Sequence, residues 1–260
     1  MIKIQPIPAS VLKQIPQLLK KKYRDEEGLF LVEGIKCIEE TLKHTSQINY
    51  VVVEENSFSH VEALIDACQE QKIPLYYSSK STFASFTDTV TPQPVVAVAK
   101  KPKIEPDFSG DILVLDGIQD PGNIGTILRT AQWFGIRTIV LSAQCADVWS
   151  PKVVRSATGS LFAISFVRTT SVVEIIQPLG YSHSIYATSL QGSLQLSECI
   201  FDKPTIFIMG SEAQGVSNEL CELAHNTVYI PSVADNKNTE SLNVAIATAV
   251  CCYQLSLSRK

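Results

Sequence analysis

Hydrophobic positions along this chain fall into two registers, and each predicts a set of elements. In the first hundred residues short apolar runs alternate with helical patterns. Strands are predicted at Leu29–Val32, Asn49–Val53, Leu75–Tyr77 and Val95–Ala99. Between them lie a helix over Ile35–Lys43 and another in which Val61, Leu64, Ile65 and Cys68 recur at i, i+3, i+4, i+7. A further helix covers the basic N-terminal stretch, bent or broken near Pro16, and ends by Gly28. The second half alternates more regularly. Strands are predicted at Asp111–Asp116, Arg137–Leu141, Ala163–Val167, Ile185–Thr188, Thr205–Met209 and Thr227–Ile230, with helices between them and a last helix from about Ser241 to Leu257. Such alternation of buried strands and helices predicts an α/β fold with a mostly parallel sheet.

Between these halves, KKPKIEPDFSG (residues 100–110) combines charge, two prolines and a glycine. This composition marks a linker. The expected organisation is therefore a first domain over residues 1–100, a linker over 101–110 and a second domain over 111–260. At 260 residues the chain is long enough for two cores.

Composition narrows the class only a little. Apolar residues make up 45% and charged residues 18%, as in folded globular chains. The formal net charge of −4 does not by itself suggest a nucleic-acid binder, but it hides local bias. Lys3, Lys13, Lys20, Lys21, Lys22 and Arg24 precede the first acidic residue, and Lys100, Lys101 and Lys103 form a second cluster. These are either a solvated helix face or phosphate contacts for RNA. The seven cysteines are odd in number, lack metal-ligand spacing and fall mostly in apolar stretches, which predicts reduced packing residues and no metal site. With no apolar run of membrane-spanning length and no signal-peptide pattern, a soluble cytoplasmic protein is expected.

Ligands of open α/β sheets bind beyond the carboxyl ends of the strands. Three such ends carry candidate chemistry. The first is ILVLDGIQDPGNIGTILRTAQWFG (112–135), where a strand turns through Asp-Pro-Gly-Asn into a helix with Asn123 near its start and Arg129 off its buried stripe. Asn123 reads as a cap and Arg129 as a solvated charge, or both address a ligand. In TIFIMGSEAQGVSN (205–218), Gly210, Glu212 and Gly215 follow a strand, a spacing that is neither a dinucleotide fingerprint nor a phosphate-binding loop. The third segment, VYIPSVADNKNTESLNVAIA (228–247), opens the last helix with Ser241 and Asn243. Ser241 fits an N-cap, and Asn243 is left without a role by that assignment.

Taken in order, Asn123, Arg129-Thr130-Ala131, Gly210, Glu212, Gly215 and Ser241-Leu242-Asn243-Val244 with Ala247 resemble the SpoU-type (TrmH-like) RNA 2′-O-ribose methyltransferases of the SPOUT superfamily. Arg155-Ser156 with Gly159 adds to the match. In the first half, KKYRDEEGLFLVEG (21–34) and TPQPVVAVA (91–99) are similar to the family's small ribosomal-protein-like α/β substrate-binding domain, with Pro94 where the family usually has glycine.

The resemblance implies a SPOUT-like parallel sheet with a trefoil knot, although general topology rules disfavour knots. It also implies a homodimer, S-adenosylmethionine as cofactor and RNA as substrate, ribosomal rather than transfer RNA because of the extra domain. Arg129, Asn123, Glu212, Ser241 and Asn243 are the implied catalytic residues, with Glu212 holding Arg129 or Arg155. Thr188, Gly210, Ile230 and Leu242 would contact the cofactor, and Lys20, Lys21, Lys22, Arg24 and Arg155 the RNA. Three alternatives stay open: a transfer RNA 2′-O-methyltransferase, an RNA-binding protein that keeps the fold without the chemistry, and a dehydrogenase-like nucleotide binder, which the lack of GxGxxG disfavours.

Overall fold

Residues 4–43, 47–89, 91–232 and 241–259 are described by a computed structural model. The chain divides into two units, Met1–Lys103 with Asp147–Phe162 and Ile104–Ala146 with Ala163–Lys260.

In the first unit β1 (Gln5–Pro6) leads into α1 (Ala9–Gln17) and α2 (Lys21–Glu27). Then follow β2 (Leu29–Glu33), α3 (Ile35–Leu42), β3 (Ile48–Glu54), α4 (Glu62–Glu70), β4 (Leu75–Ser78), α5 (Lys80–Phe83) and β5 (Val95–Lys100). The basic stretch is broken near Pro16, as one of the two expectations had it, into two helices. Pro16 has no N–H to continue the ladder and α1 stops one residue later, while Gly28 ends α2 in the left-handed conformation with φ 66°. The sheet order is β1-β4-β3-β5-β2, parallel across β1, β4 and β3 and antiparallel on either side of β5. Alternation sends Leu29, Leu31, Tyr50, Val52, Val96 and Val98 to one face, where Ile15, Leu18, Phe83 and Phe86 cover them.

The second unit contributes β6 (Ile112–Asp116), α6 (Pro121–Trp133) and β7 (Thr138–Ser142). Helix α7 (Pro151–Ala157) comes next in sequence but belongs to the first unit. The chain returns as β8 (Ser165–Thr169), α8 (Val172–Ile176), β9 (Ser184–Thr188), β10 (Leu194–Gln195), β11 (Thr205–Gly210), α9 (Asn218–Leu223), β12 (Asn226–Tyr229) and α10 (Val244–Leu257). These seven strands form one all-parallel sheet in the order β10-β12-β9-β11-β6-β7-β8. One face (Ile112, Val114, Val140, Ile185, Ile206, Ile208) packs on Val172, Ile176 and Leu220 of α8 and α9. Helix α10 packs on α6 and β11.

Residues 147–162 are held in the first unit by contacts that the linear sequence does not reveal. The Phe30 ring lies 4.9 Å from that of Trp149 and 6.0 Å from that of Phe162. Arg24 is 3% exposed; its guanidinium donates to Asp147 at 2.6 and 3.0 Å and to the Leu18 carbonyl at 2.8 Å. Removing one partner strands a buried charge. Arg24→Ala is therefore expected to cost about 3–5 kcal/mol of stability, and Arg24→Met with Asp147→Leu to recover most of it. Denaturant titration of the single and double variants checks this; equal losses in both would show that the charge pair is not the cause.

Candidate active site

Parallel register brings the candidate loops to one edge of the second sheet. Gly210 pairs with Asp116 at the carboxyl ends of β11 and β6, and Thr188 pairs with Val228 where β9 runs beside β12. Ile230 follows directly on β12. Thr188, Gly210 and Ile230 thus sit at the ends of three adjacent strands. The Thr188 hydroxyl donates to the Ile208 carbonyl at 3.0 Å, so this side chain braces its neighbour strand. Gly210 is required by the chain itself: a Cβ there would lie 2.1 Å from the Gly215 carbonyl carbon and 2.2 Å from the Val216 nitrogen. The loop doubles back over its own strand, closed by Gly215 N–H to the Ser211 carbonyl at 2.8 Å and by φ 70° at Gly215. Leu190 and Leu242, 71% and 45% exposed, offer apolar surface in the segments after β9 and before α10.

Two helix N-termini meet at this edge. Asp120 caps α6, accepting from the Asn123 N–H at 2.9 Å, with Pro121 in the first turn. Asn243 caps α10, its Oδ1 accepting from the N–H groups of Ala245 at 2.9 Å and Ile246 at 3.4 Å. Because Oδ1 of Asn243 faces two backbone donors, its amide orientation is settled. Its Nδ2 donates to Asn123 Oδ1 at 3.0 Å. Asn123 must then present its own NH₂ outward, and it donates that group to the Glu212 carboxylate. The result is a directed chain, α10 N-terminus to Asn243 to Asn123 to Glu212, that ends on a negative charge.

Several sequence expectations change here. Asp120, not Asn123, is the cap of α6, a role that Asp before Pro-Gly at a helix start signals. Asn243, not Ser241, caps α10; Ser241 is exposed two residues earlier, and the helix begins at Val244 rather than at Ser241. Glu212 holds Asn123 rather than Arg129. Arg155 lies in the first unit, donating to Glu33 and pairing with Asp88, both at 2.8 Å. Arg24, expected to face phosphate, is buried in its pair with Asp147 and presents no charge to a ligand.

Lys20, Lys21 and Lys22 are exposed, with Lys21 2.7 Å from Asp25 and Lys22 3.8 Å from Glu26. Arg129 is exposed and, among the described residues, makes no hydrogen bond or ion pair. Six residues beyond Asn123, it sits about 9 Å further along α6 and about 240° around it. There it lines a cavity of about 320 Å³ with Thr126, Thr130, Trp133, Phe134 and Ala249. Burial pushes the Cys252 thiol up to about 12 and that of Cys251 higher still, so both stay neutral and serve as packing residues. Among the described residues no cluster of His, Cys, Asp and Glu is placed to hold a metal.

A model described as the SpoU rRNA Methylase family matches residues 111–253, and one described as an MRM3-like substrate binding domain matches residues 10–97. The chain belongs to the SpoU rRNA methylase family. It is 34% identical over 94% of its length to a 23S rRNA (guanosine(2553)-2′-O)-methyltransferase of Bacillus subtilis, covering 95% of that protein. A TrmH-family structure from Porphyromonas gingivalis superimposes with TM-score 0.81 at 34% identity, covering 96% of this chain and 98% of that one. An AdoMet-bound rRNA methyltransferase from Sinorhizobium meliloti does so with TM-score 0.78 at 28% identity, covering 96% of each chain. In this member of the SpoU family the strand ends offer that cofactor backbone groups and exposed leucines.

Asn243→Asp separates the two jobs of this residue. Aspartate caps a helix as well as asparagine does, but it has no amide to donate to Asn123. Thermal stability is expected to stay within a degree or two, while methyl transfer falls on the order of 10–10²-fold through misplacement of Asn123 and Glu212. Melting curves and initial rates on one preparation decide; an unchanged rate would remove Asn243 from the machinery.

Proposed function

We propose that this protein methylates a ribose 2′-hydroxyl of ribosomal RNA, using S-adenosylmethionine and the directed Asn243–Asn123–Glu212 chain at the carboxyl edge of its parallel sheet. That chain carries the reading, because it joins three segments far apart in sequence into one polar centre. The cofactor supplies an electrophilic methyl group on a sulfonium. Thr188, Gly210, Ile230 and Leu242 hold it through strand-end backbone and apolar contact. The reacting hydroxyl is a weak acid whose proton passes to solvent as its oxygen takes the methyl group, and a guanidinium is always protonated, so Arg129 acts as a fixed charge that steadies the developing alkoxide. Asn123 and Glu212 orient the ribose, with Ser241 exposed nearby in sequence for a further hydrogen bond. Lys20, Lys21 and Lys22 of the first unit grip phosphates.

The same reading includes the trefoil knot of the SPOUT superfamily. The tight return of residues 211–216 over Gly210 supports it, while residues 233–240 lie outside the described part of the chain. It includes a reducing, cytoplasmic setting, supported by seven free cysteines. No described helix is long and apolar enough to cross a membrane.

A homodimer is supported by an apolar stripe on α10. Ile246, Val250, Tyr253 and Leu257 are 50, 36, 56 and 45% exposed at helical spacing, and Trp133 of α6 is 84% exposed. Arg129 lines the groove between the same two helices, so a second copy seated there would shield its charge from water and strengthen its field.

Three experiments test this. With labelled S-adenosylmethionine and ribosomal RNA, Arg129→Ala is expected to lose on the order of 10²–10³ in rate. Cofactor affinity and the salt dependence of RNA binding should stay as in the wild type. A wild-type protein that takes up no cofactor in calorimetric titration would favour the non-catalytic RNA-binding reading. Tyr253→Glu is expected to convert a dimer to a monomer in sedimentation velocity; a wild-type monomer at micromolar concentration would refute the dimer.

A further inference from the structure

We infer that Arg168, outside every motif of the active centre, is a positioning residue that holds the first catalytic loop. The inference rests on the functional reading above. Arg168 lies on β8, the edge strand of the second sheet, opposite Leu141 of β7. Its guanidinium reaches past the end of β7 and donates to four carbonyls: Ser142 at 3.5 Å, Ala143 at 3.0 Å, Cys145 at 2.9 Å and Ala146 at 2.5 Å. Among the described residues no carboxylate pairs with it. Its charge is directed wholly onto one turn of backbone, in a fork geometry that only arginine offers.

The other side of that turn is fastened to the loop after β6. The Ala146 N–H donates to the Ile118 carbonyl at 2.9 Å, the Gly117 N–H to Ser142 Oγ at 2.9 Å, and Cys145 Sγ to the Leu115 carbonyl at 3.1 Å. Two residues after Ile118 comes Asp120, the cap of α6, and then Asn123. Asp116, in the same stretch, accepts from the Ser217 N–H at 2.9 Å and so ties down the loop that carries Glu212. Residues 142–146 are thus clamped between Arg168 and the stretch that places both Asn123 and Glu212. Without the guanidinium, the four carbonyls lose their common donor, and the turn is free to shift against Gly117 and Ile118. Displacements of about 1 Å at a reacting centre reduce rates by about 10²-fold.

The test compares wild type, Arg168→Ala and Arg168→Lys in methyl transfer to ribosomal RNA, with hydrogen exchange measured on the same proteins. For Arg168→Ala, kcat is expected to fall 10- to 100-fold with KM for RNA and Kd for S-adenosylmethionine within threefold. Amides of residues 115–123 and 142–146 should exchange faster, and those of α10 unchanged. A kcat within twofold of wild type overturns the proposal, as does faster exchange spread evenly over the unit, the mark of a general stabiliser. Should the alanine variant fail to fold, Arg168→Lys, with a point charge in place of a fork, is expected to show the same pattern at smaller size. A wild-type protein inactive on ribosomal RNA refutes the functional reading instead, and the exchange pattern still decides the role of Arg168.

Discussion

Parallel register in the second sheet is the constraint from which the site follows. All seven strands run the same way, so every carboxyl end falls on one edge, and the backbone groups leaving that edge need partners. The chain provides them from side chains in neighbouring segments. Asp116 accepts from Ser217, Ser142 from Gly117, and Asn243 from two amides at the start of α10. At the opposite end of the sheet Asp111 accepts from Thr205 and is itself gripped by Arg259. Loops that begin as a problem of unsatisfied backbone end as a fixed polar surface. The candidate catalytic chain is part of that solution rather than an addition to it.

Stability and the proposed chemistry are consequently joined in single residues. Asn243 caps one helix and aligns the first turn of another; Gly210 has no side chain because a loop lies where one would be. Truncating Asn243, or adding a side chain at Gly210, to probe function would also damage the fold. Substitutions that keep the structural half of the role are the informative ones.

Much of this was legible in the sequence because burial on both faces of a parallel sheet writes apolar runs. Each of the strands expected from those runs is present within two residues of its predicted ends, and the ordered motifs point to the family and to the edge of the sheet. What was not legible depends on distance. Two-residue strands such as Gln5–Pro6 and Leu194–Gln195 are too short to show any period. The grouping of residues 147–162 with the first unit rests on Arg24, Glu33 and Phe30 meeting residues more than a hundred positions away. Arg24 in a run of lysines reads as one more surface cation until its burial is known. Ser241 and Asn243 are both good caps by composition, and only the path of the chain chooses between them.

The arginines sort by what their geometry can do. Arg24, Arg155, Arg168 and Arg259 each bind carboxylates or several carbonyls within their own unit. Arg137 helps to hold the Asp107 carboxyl low, after the hydrogen bonds from Ser109. A planar fork with five donors suits such fixed internal contacts, whereas lysine keeps a hydrated point charge suited to displacing counterions from phosphate. The exposed Lys20–Lys22 run is consistent with that division, and Arg129 departs from it. An arginine left on a groove without a carboxylate or carbonyl among the described residues contributes little to folding. On the proposed reading its charge serves the ribose oxygen, which turns anionic as its proton leaves.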